Sequence, residues 1–197
     1  FKRRLFVSRA DDLVVMEIRS SEKNQIYCNL TLDAHNSEPA FSMGAGNEGK
    51  SVTIPFDYAT TGENDHLYFS ARQKNNREFG GVARVVVTDG SFRNTQKEII
   101  VEGADRVLVL VKLYFDEDAA SARARLQAEL AALPAEYEAL LAPHAKLHGE
   151  LFNRATLELS DSDLSNDELL MKAYDGEVDT AFIKRMFEYG RYLLISS

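Results

Sequence analysis

Residues 187–197, FEYGRYLLISS, decide the fold, because they complete a helix that is apolar over a wide arc. This helix is predicted to begin near Asp179, whose side chain suits an amino-terminal cap. Its apolar residues form two neighbouring stripes, Phe182, Met186, Tyr189 and Leu193 on one, and Ile183, Phe187, Gly190 and Leu194 on the other. A helix of this kind is expected to be buried on more than one side, so we expect the polypeptide to continue into further helices after Ser197.

Composition limits the classes of protein that the chain can belong to. Its 197 residues, 45% of them hydrophobic, suffice for one large domain or for a domain and part of a second. The net charge of −8 is spread along the sequence, which argues against nucleic acid or an anionic membrane as partner. No stretch reaches the roughly 20 apolar residues of a membrane span. The start at Phe1, without Met or a signal peptide, predicts a mature or cut chain.

The first half of the chain, to about residue 115, predicts β-structure. Apolar and polar residues often alternate, as in residues 26–33, which is typical of strands with one solvated face. Turn signals separate the predicted strands at residues 11–12, 22–24, 44–49, 61–64, 75–76 and 89–90. Short strands at this spacing predict an antiparallel β-sandwich. Residues 107–111 are apolar on both faces and predict a central strand.

The second half predicts helices. Residues 116–118 are acidic and suit a helix amino terminus, and residues 119–133 are strong helix formers. A second helix is predicted from Pro134 to about Asn153, with a bend at Pro143. Residues 160–168 are predicted to form a polar loop.

The closest match to a catalytic motif is residues 44–51, GAGNEGKS, which fit the phosphate-binding pattern G-x-x-x-x-G-K-[ST]. That loop works only between a strand and a helix amino terminus, where amides and the helix dipole hold the phosphates. Here the following residues, VTIPF, are β-branched and interrupted by proline. The context favours a glycine-rich surface loop over a nucleotide site.

Two further patterns have the spacing of metal ligands. His144 and His148 share a helix face, but Ala145 replaces the glutamate of the zinc-protease motif and no third ligand is evident. The acidic residues between 161 and 167 imitate the start of a calcium loop, yet Asn166 and Lys172 stand where glycine and glutamate are needed. We therefore expect no metal and no cofactor.

The remaining candidates carry little chemistry. Cys28 is alone, so no internal disulfide is possible, and its alternating run favours a small core residue over a reactive thiol. Asn29 begins a glycosylation sequon, which matters only in a eukaryotic secreted protein. Glycosidases need a pair of carboxylates, and nothing in the sequence singles out two of them.

Four places occur in an order and spacing that resemble glycoside hydrolase family 95, which includes α-L-fucosidases and α-L-galactosidases. They are residues 4–8 (RLFVS) with 12–15 (DLVV), residues 103–107 (GADRV), His144 with residues 152–159 (FNRATLEL), and residues 187–197. The resemblance implies a β-sandwich over residues 1–116, a helical linker over 117–177, and the first helix of a truncated (α/α)6 barrel over 178–197. It also implies that the chain is the non-catalytic amino-terminal part of an inverting exo-glycoside hydrolase, secreted or periplasmic. The barrel that binds the carbohydrate substrate, and the catalytic residues, are then expected to lie after Ser197. We therefore assign no catalytic residue in this chain, which we expect to be inactive alone.

Two alternatives stay open. The β half could be a carbohydrate-binding module, with Tyr27, Tyr58, Tyr68 and Phe69 as candidates for an aromatic platform. The chain could also be the amino-terminal sandwich of another sandwich-plus-barrel enzyme, such as a disaccharide phosphorylase. The sugar, its linkage and the oligomeric state are not predicted.

Overall fold

The computed structural model describes residues 1–34 and 56–196. In these ranges the chain forms nine strands and then four helices. The strands are β1 (Lys2–Ser8), β2 (Leu13–Arg19), β3 (Ile26–Leu30), β4 (Phe56–Glu63), β5 (His66–Gln73), β6 (Glu78–Thr88), β7 (Ser91–Asn94), β8 (Ile99–Ala104) and β9 (Arg106–Phe115). The helices are α1 (Ala119–Ala132), α2 (Tyr137–Phe152), α3 (Asn166–Tyr174) and α4 (Thr180–Ser196).

The strands form two antiparallel sheets. The larger sheet has the order β1-β2-β9-β6-β5-β4, and the smaller one has the order β3-β8-β7. This confirms the predicted fold class, an antiparallel sandwich followed by helices. Strand β9 pairs with β2 on one side and β6 on the other, so the stretch that is apolar on both faces is indeed central.

Each face of the larger sheet belongs to a different core. One core joins the two sheets and includes Ile26 and Ile99 from the smaller sheet and Val85 and Val107 from the larger one. The other core packs α1 and the start of α2 against the opposite face. This double coverage explains why residues 107–110 of β9 are buried on both faces.

The turns follow the sequence signals closely. Among the described residues, six other than glycine adopt positive φ angles, and each lies at or next to a predicted turn or the end of the last strand: Asp12, Asn24, Asn64, Asn76, Asp89 and Asp116. Asn and Asp tolerate this left-handed conformation better than other side chains do, because a short polar group can bond locally to the backbone. Residues 44–49 lie outside the described ranges.

Helix boundaries were only partly predictable. Asp118 caps α1 by accepting a hydrogen bond from the Ser121 amide at 2.9 Å. Asp179 accepts one from the Ala181 amide at 2.9 Å, so the predicted start of the last helix is correct. In contrast, the predicted loop over residues 160–168 contains the start of α3, where Ser165 and Glu168 form a capping box.

The chain divides into two compact units, residues 1–141 and 142–197. The first unit contains both sheets, α1 and the first residues of α2. The second contains the rest of α2, with Pro143 near its start, and the helices α3 and α4. Across the described ranges, no helix has the combination of length and apolarity that a membrane crossing requires.

Candidate functional site

The face of the larger sheet that α1 covers is where the helical part of the chain is attached, and we call it the helix-facing surface. Strand residues of alternate positions build it, including Tyr68, Val82, Leu108 and Leu110. Against them α1 places Ala122, Leu126 and Leu130, which are three or four residues apart and therefore share one side of the helix. The helix lies on the sheet along its whole length.

Polar contacts fix both ends of α1 on the helix-facing surface. At its start, Glu78 of β6 accepts a hydrogen bond from the Ala119 amide at 2.8 Å. Near its end, Arg84 of β6 donates to the Leu130 carbonyl oxygen at 2.9 Å. Lys112 of β9 lies 2.7 Å from Glu129. These contacts satisfy helix-end groups that would otherwise need water, so the position of α1 along the strands is defined.

Several carboxylates of this surface have lowered pKa values. The Lys112 ammonium, and after it the Arg125 guanidinium, lower the pKa of Glu129. The hydrogen bond from the Ala119 amide, and after it the Arg72 guanidinium, lower the pKa of Glu78. A carboxylate with a lowered folded-state pKa stabilises the fold above its unfolded pKa, and that stabilisation is lost as pH falls through the folded value.

We therefore expect the melting temperature of the chain to fall below about pH 4.5, where unfolded Glu and Asp side chains take up protons. Glu129→Gln should lower the melting temperature at pH 7 and reduce the further loss between pH 7 and pH 3. Calorimetry across this pH range measures both effects. Glu150→Gln, at an exposed position of α2, is the matched control and should follow the wild-type curve. A Glu129→Gln curve parallel to that of the wild type would contradict the assignment.

Next to α1, four charged side chains and a tyrosine join the sheet to the start of α2. We call this group the junction cluster: Arg4, Glu17, Arg106, Glu136 and Tyr137. Glu17 is only 2% exposed. Arg4 approaches its carboxylate with Nη2 at 2.7 Å and Nε at 3.1 Å. Arg106 lies 4.0 Å from the other oxygen of Glu17 and 2.6 Å from Glu136. One buried carboxylate thus orients two arginines, and both reach towards the first turn of α2.

Tyr137, the first residue of α2, completes the junction cluster. The Arg4 guanidinium lies 3.8 Å from the centre of its ring, within the range of a cation–π contact. Phe6 meets the same ring edge-on, with ring centres 5.2 Å apart. Tyr137 is 5% exposed, so the start of α2 is fixed by packing as well as by charge.

The junction cluster is not evident from the sequence, because the alternation in β2 is typical of a strand with one solvated face, on which Glu17 is expected to lie. In the structure that side is covered, since Val15 is fully buried and Glu17 nearly so. Register explains the pairing, because Arg4 lies directly opposite Glu17 on the neighbouring strand. The available signal was an acidic residue that follows the apolar Leu13 and Val15 on the same face of β2 and lies opposite Arg4 of β1.

The second unit contains the histidine pair that the sequence singled out. The rings of His144 and His148 are 5.7 Å apart, centre to centre, on α2. His148 also contacts Phe152 at 6.2 Å and Tyr192 of α4 at 5.5 Å. Within the described ranges, no three His, Cys, Asp or Glu side chains come together as a metal site. The contacts of His148 indicate a packing role between the two helices.

Arg191 lies in the last segment of the chain, residues 187–197, and has a structural role there. Its guanidinium donates to the carbonyl oxygens of Leu151, at 3.3 Å, and of Ala155. It also lies 4.9 Å from the centre of the Phe152 ring. A cation at the carboxyl end of a helix satisfies the last carbonyl groups, so Arg191 links α4 to the end of α2.

The other sequence candidates are dispersed. Asp161 pairs with Lys184 of α4 at 2.6 Å. Asn29 is exposed on β3 and donates to Glu98 at 3.0 Å, while Cys28 is half-buried and burial raises the pKa of its thiol. The glycine-rich residues 44–51 lie outside the described ranges.

The four aromatic candidates for a sugar platform do not form one surface. Tyr27 lies on the smaller sheet, and Tyr68 is buried on the helix-facing surface under Arg123. Only Tyr58 and Phe69 lie together, with ring centres 5.9 Å apart. A cavity of about 590 Å³ adjoins Phe69, and the described residues that line it are mainly apolar. Such a lining offers few hydrogen-bonding groups to a sugar.

The two antiparallel sheets, with helices packed on the outer face of the larger one, define the class of protein as an amino-terminal domain of the glycoside hydrolase type. The model of the glycosyl hydrolase family 65 N-terminal domain matches residues 1–119, more than half of the chain. The chain therefore belongs to this domain family. The model of the glycosyl hydrolase family 95 catalytic domain matches residues 136–197. The resemblance to family 95 is thus supported over residues 136–197 only, whereas the sandwich matches family 65.

A solved structure has the same fold. It is described as "Putative kojibiose phosphorylase from human microbiome", and the chain aligns to it with a TM-score of 0.62 at 13% sequence identity. The alignment covers 98% of the chain and 24% of that protein, so the chain spans about a quarter of its length. No curated protein matches the chain.

Proposed function

We propose that the chain is the part of a glycoside-cleaving enzyme that orients the catalytic barrel and that contributes no catalytic residue itself. The observation that carries this proposal is continuity: a family 65 sandwich match ends at residue 119, and a catalytic-domain match begins at residue 136. The junction cluster lies where the second match begins, because it contains Glu136 and Tyr137. In this proposal residues 1–116 are the sandwich, 117–177 the linker, and 178–197 the first helix of the barrel.

For the reaction of the whole protein, we propose phosphorolysis of a disaccharide. Support comes from the family 65 match over the sandwich and from the structural similarity to a protein described as a kojibiose phosphorylase. In phosphorolysis a phosphate oxygen attacks the anomeric carbon, the glycosidic bond breaks, and the leaving oxygen takes up a proton. The products are a sugar 1-phosphate and a free sugar.

The second candidate is inverting hydrolysis of a terminal sugar such as α-L-fucose. The catalytic-domain match to family 95 over residues 136–197 favours it. Here water replaces phosphate as the nucleophile, and two free sugars, or a sugar and an alcohol, are released. The two candidates share the proposed sandwich and barrel and differ in what attacks the anomeric carbon.

The nucleophile can be identified by incubating the full-length protein with kojibiose and other glucose disaccharides. One set of incubations contains phosphate buffer and a parallel set contains phosphate-free buffer. We expect cleavage only with phosphate, and an amount of glucose 1-phosphate equal to that of free glucose. Aryl α-L-fucoside, tested in parallel, measures the second candidate. Cleavage at equal rates in both buffers, without a sugar phosphate, would reject phosphorolysis. Absence of cleavage of any glycoside would reject the proposed function itself.

A further inference from the structure

A polar groove crosses β4, β5 and β6 beside the start of α1. Cross-strand partners share one face of a sheet, and three of them form a charged row: Asp57, Arg72 and Glu78. The next row consists of small residues: Ala59, Ser70 and Gly80. Because small side chains leave space above the strands, a cavity of about 260 Å³ opens here, and residues of both rows line it. We call it the β4 groove.

The β4 groove offers hydrogen-bond donors and acceptors that the fold does not use. Arg72 donates to Glu78 through Nη2, which leaves the Nε and Nη1 donors of its guanidinium available. Asp57 is exposed and Ser70 is half-buried. Within residues 1–34 and 56–196, neither of these two side chains forms a hydrogen bond or an ion pair. A carboxylate, a hydroxyl and the edge of a guanidinium therefore line the same cavity.

The charges of the β4 groove decide which class of ligand fits. Two carboxylates and one guanidinium leave it net negative, which disfavours phosphate and other anions. Among the described residues, no three His, Cys, Asp or Glu side chains come together as a metal site, and the Arg72 cation repels a metal ion. An apolar ligand would desolvate polar groups without bonding them. A neutral polyhydroxyl compound fits, because each of its hydroxyl groups both donates and accepts.

We propose that the β4 groove binds one ring of a neutral sugar. Asp57 accepts hydrogen bonds from the ring hydroxyls, Arg72 donates to a neighbouring hydroxyl oxygen, and Ser70 contacts a third. The volume lies just below the range of about 300–1,000 Å³ that is usual for sites of drug-sized ligands, so a single ring fits and an oligosaccharide chain does not. This inference goes beyond the proposed function, which assigns no ligand to the sandwich.

The test uses a cysteine placed in the β4 groove of the full-length protein. Ala59→Cys is labelled with a maleimide in phosphate-free buffer, with and without glucose, L-fucose or kojibiose, and the label is read from the mass of the peptide that contains position 59. At ten times the sugar concentration that half-fills the groove, labelling is expected to slow about tenfold, because about a tenth of the molecules stay empty. Lys97→Cys, at an exposed position outside the groove, is the control and should label equally fast throughout.

A second variant tests the assigned contacts. Asp57→Asn, added to Ala59→Cys, is expected to raise the half-protecting sugar concentration at least about tenfold, since hydrogen bonds to a charged group are lost. Asp163→Asn, at an exposed position outside the groove, should leave it unchanged. Because Asp57 is exposed, its variant is expected to keep the wild-type melting temperature, which is measured alongside.

Three outcomes would overturn the proposal. They are equal labelling of position 59 with and without every one of the three sugars, protection by inorganic phosphate but by no sugar, and protection that Asp57→Asn does not weaken. Glycoside cleavage is assayed separately. Protection of position 59 in a protein that cleaves no glycoside would support the sugar site and reject the proposed function, so the two failures are distinguishable.

Discussion

Replacing Leu130 by alanine is expected to lower the free energy of unfolding by about 3 to 4 kcal/mol. Leu130 is fully buried in the core between α1 and the larger sheet. Removing its side chain loses apolar burial and leaves a cavity that strands held in a sheet cannot close. Urea denaturation followed by circular dichroism measures the change.

Leu147→Ala is the matched control for this variant. Leu147 is 40% exposed on α2, so its truncation creates no enclosed cavity. We expect a loss of less than about 1 kcal/mol for Leu147→Ala. A loss at Leu130 no larger than that at Leu147 would mean that α1 does not pack on the sheet as described, and that the helix-facing surface is not a single core.

Replacing Arg4 by methionine is expected to lower the free energy of unfolding by about 3 kcal/mol, because it leaves the buried Glu17 carboxylate with one distant partner. Arg4 contributes two hydrogen bonds to Glu17 and the cation–π contact to Tyr137. After its loss the nearest cation to Glu17 in the junction cluster is Arg106, at 4.0 Å. The same denaturation measurement applies.

Two comparisons make the Arg4 prediction specific. Arg93→Met removes an ion pair with Glu102 in which both side chains are more than half exposed, and it should cost less than about 1 kcal/mol. Adding Glu17→Met to Arg4→Met should recover much of the loss, since two apolar side chains avoid the buried charge. If the double variant is as unstable as Arg4→Met, the cost comes from the other contacts of Arg4, to Tyr137 and Glu138, and not from the charge on Glu17.

Most of the sandwich could be predicted because local chemistry and tertiary structure agree there. Turns with Asn or Asp adopt the left-handed backbone that those side chains tolerate, as Asn64 and Asp89 illustrate. The run in β9 is apolar on both faces because it is central and covered on both sides. Where neighbours in sequence determine a residue's surroundings, the sequence pattern is sufficient to predict the local structure.

Prediction failed where the surroundings come from distant residues. The alternation around Glu17 is typical of a solvated strand face, and only the packing of α1 and α2 turns that face into a core. Its partners Arg4 and Arg106 lie on two other strands, so no local pattern joins them. Helix α3 was missed for a different reason, since polarity alone predicted a loop although the Ser165 and Glu168 spacing signals a capping box.

We propose that this chain orients a catalytic barrel and performs no chemistry itself. It is tested most directly by measuring glycoside turnover for the full-length protein and for residues 1–197 alone, under the same conditions and on the same disaccharides and aryl fucoside. The account predicts turnover by the full-length protein and none above background by residues 1–197. Turnover by residues 1–197 at a rate comparable to that of the full-length protein would contradict it, because the catalytic groups would then lie within this chain.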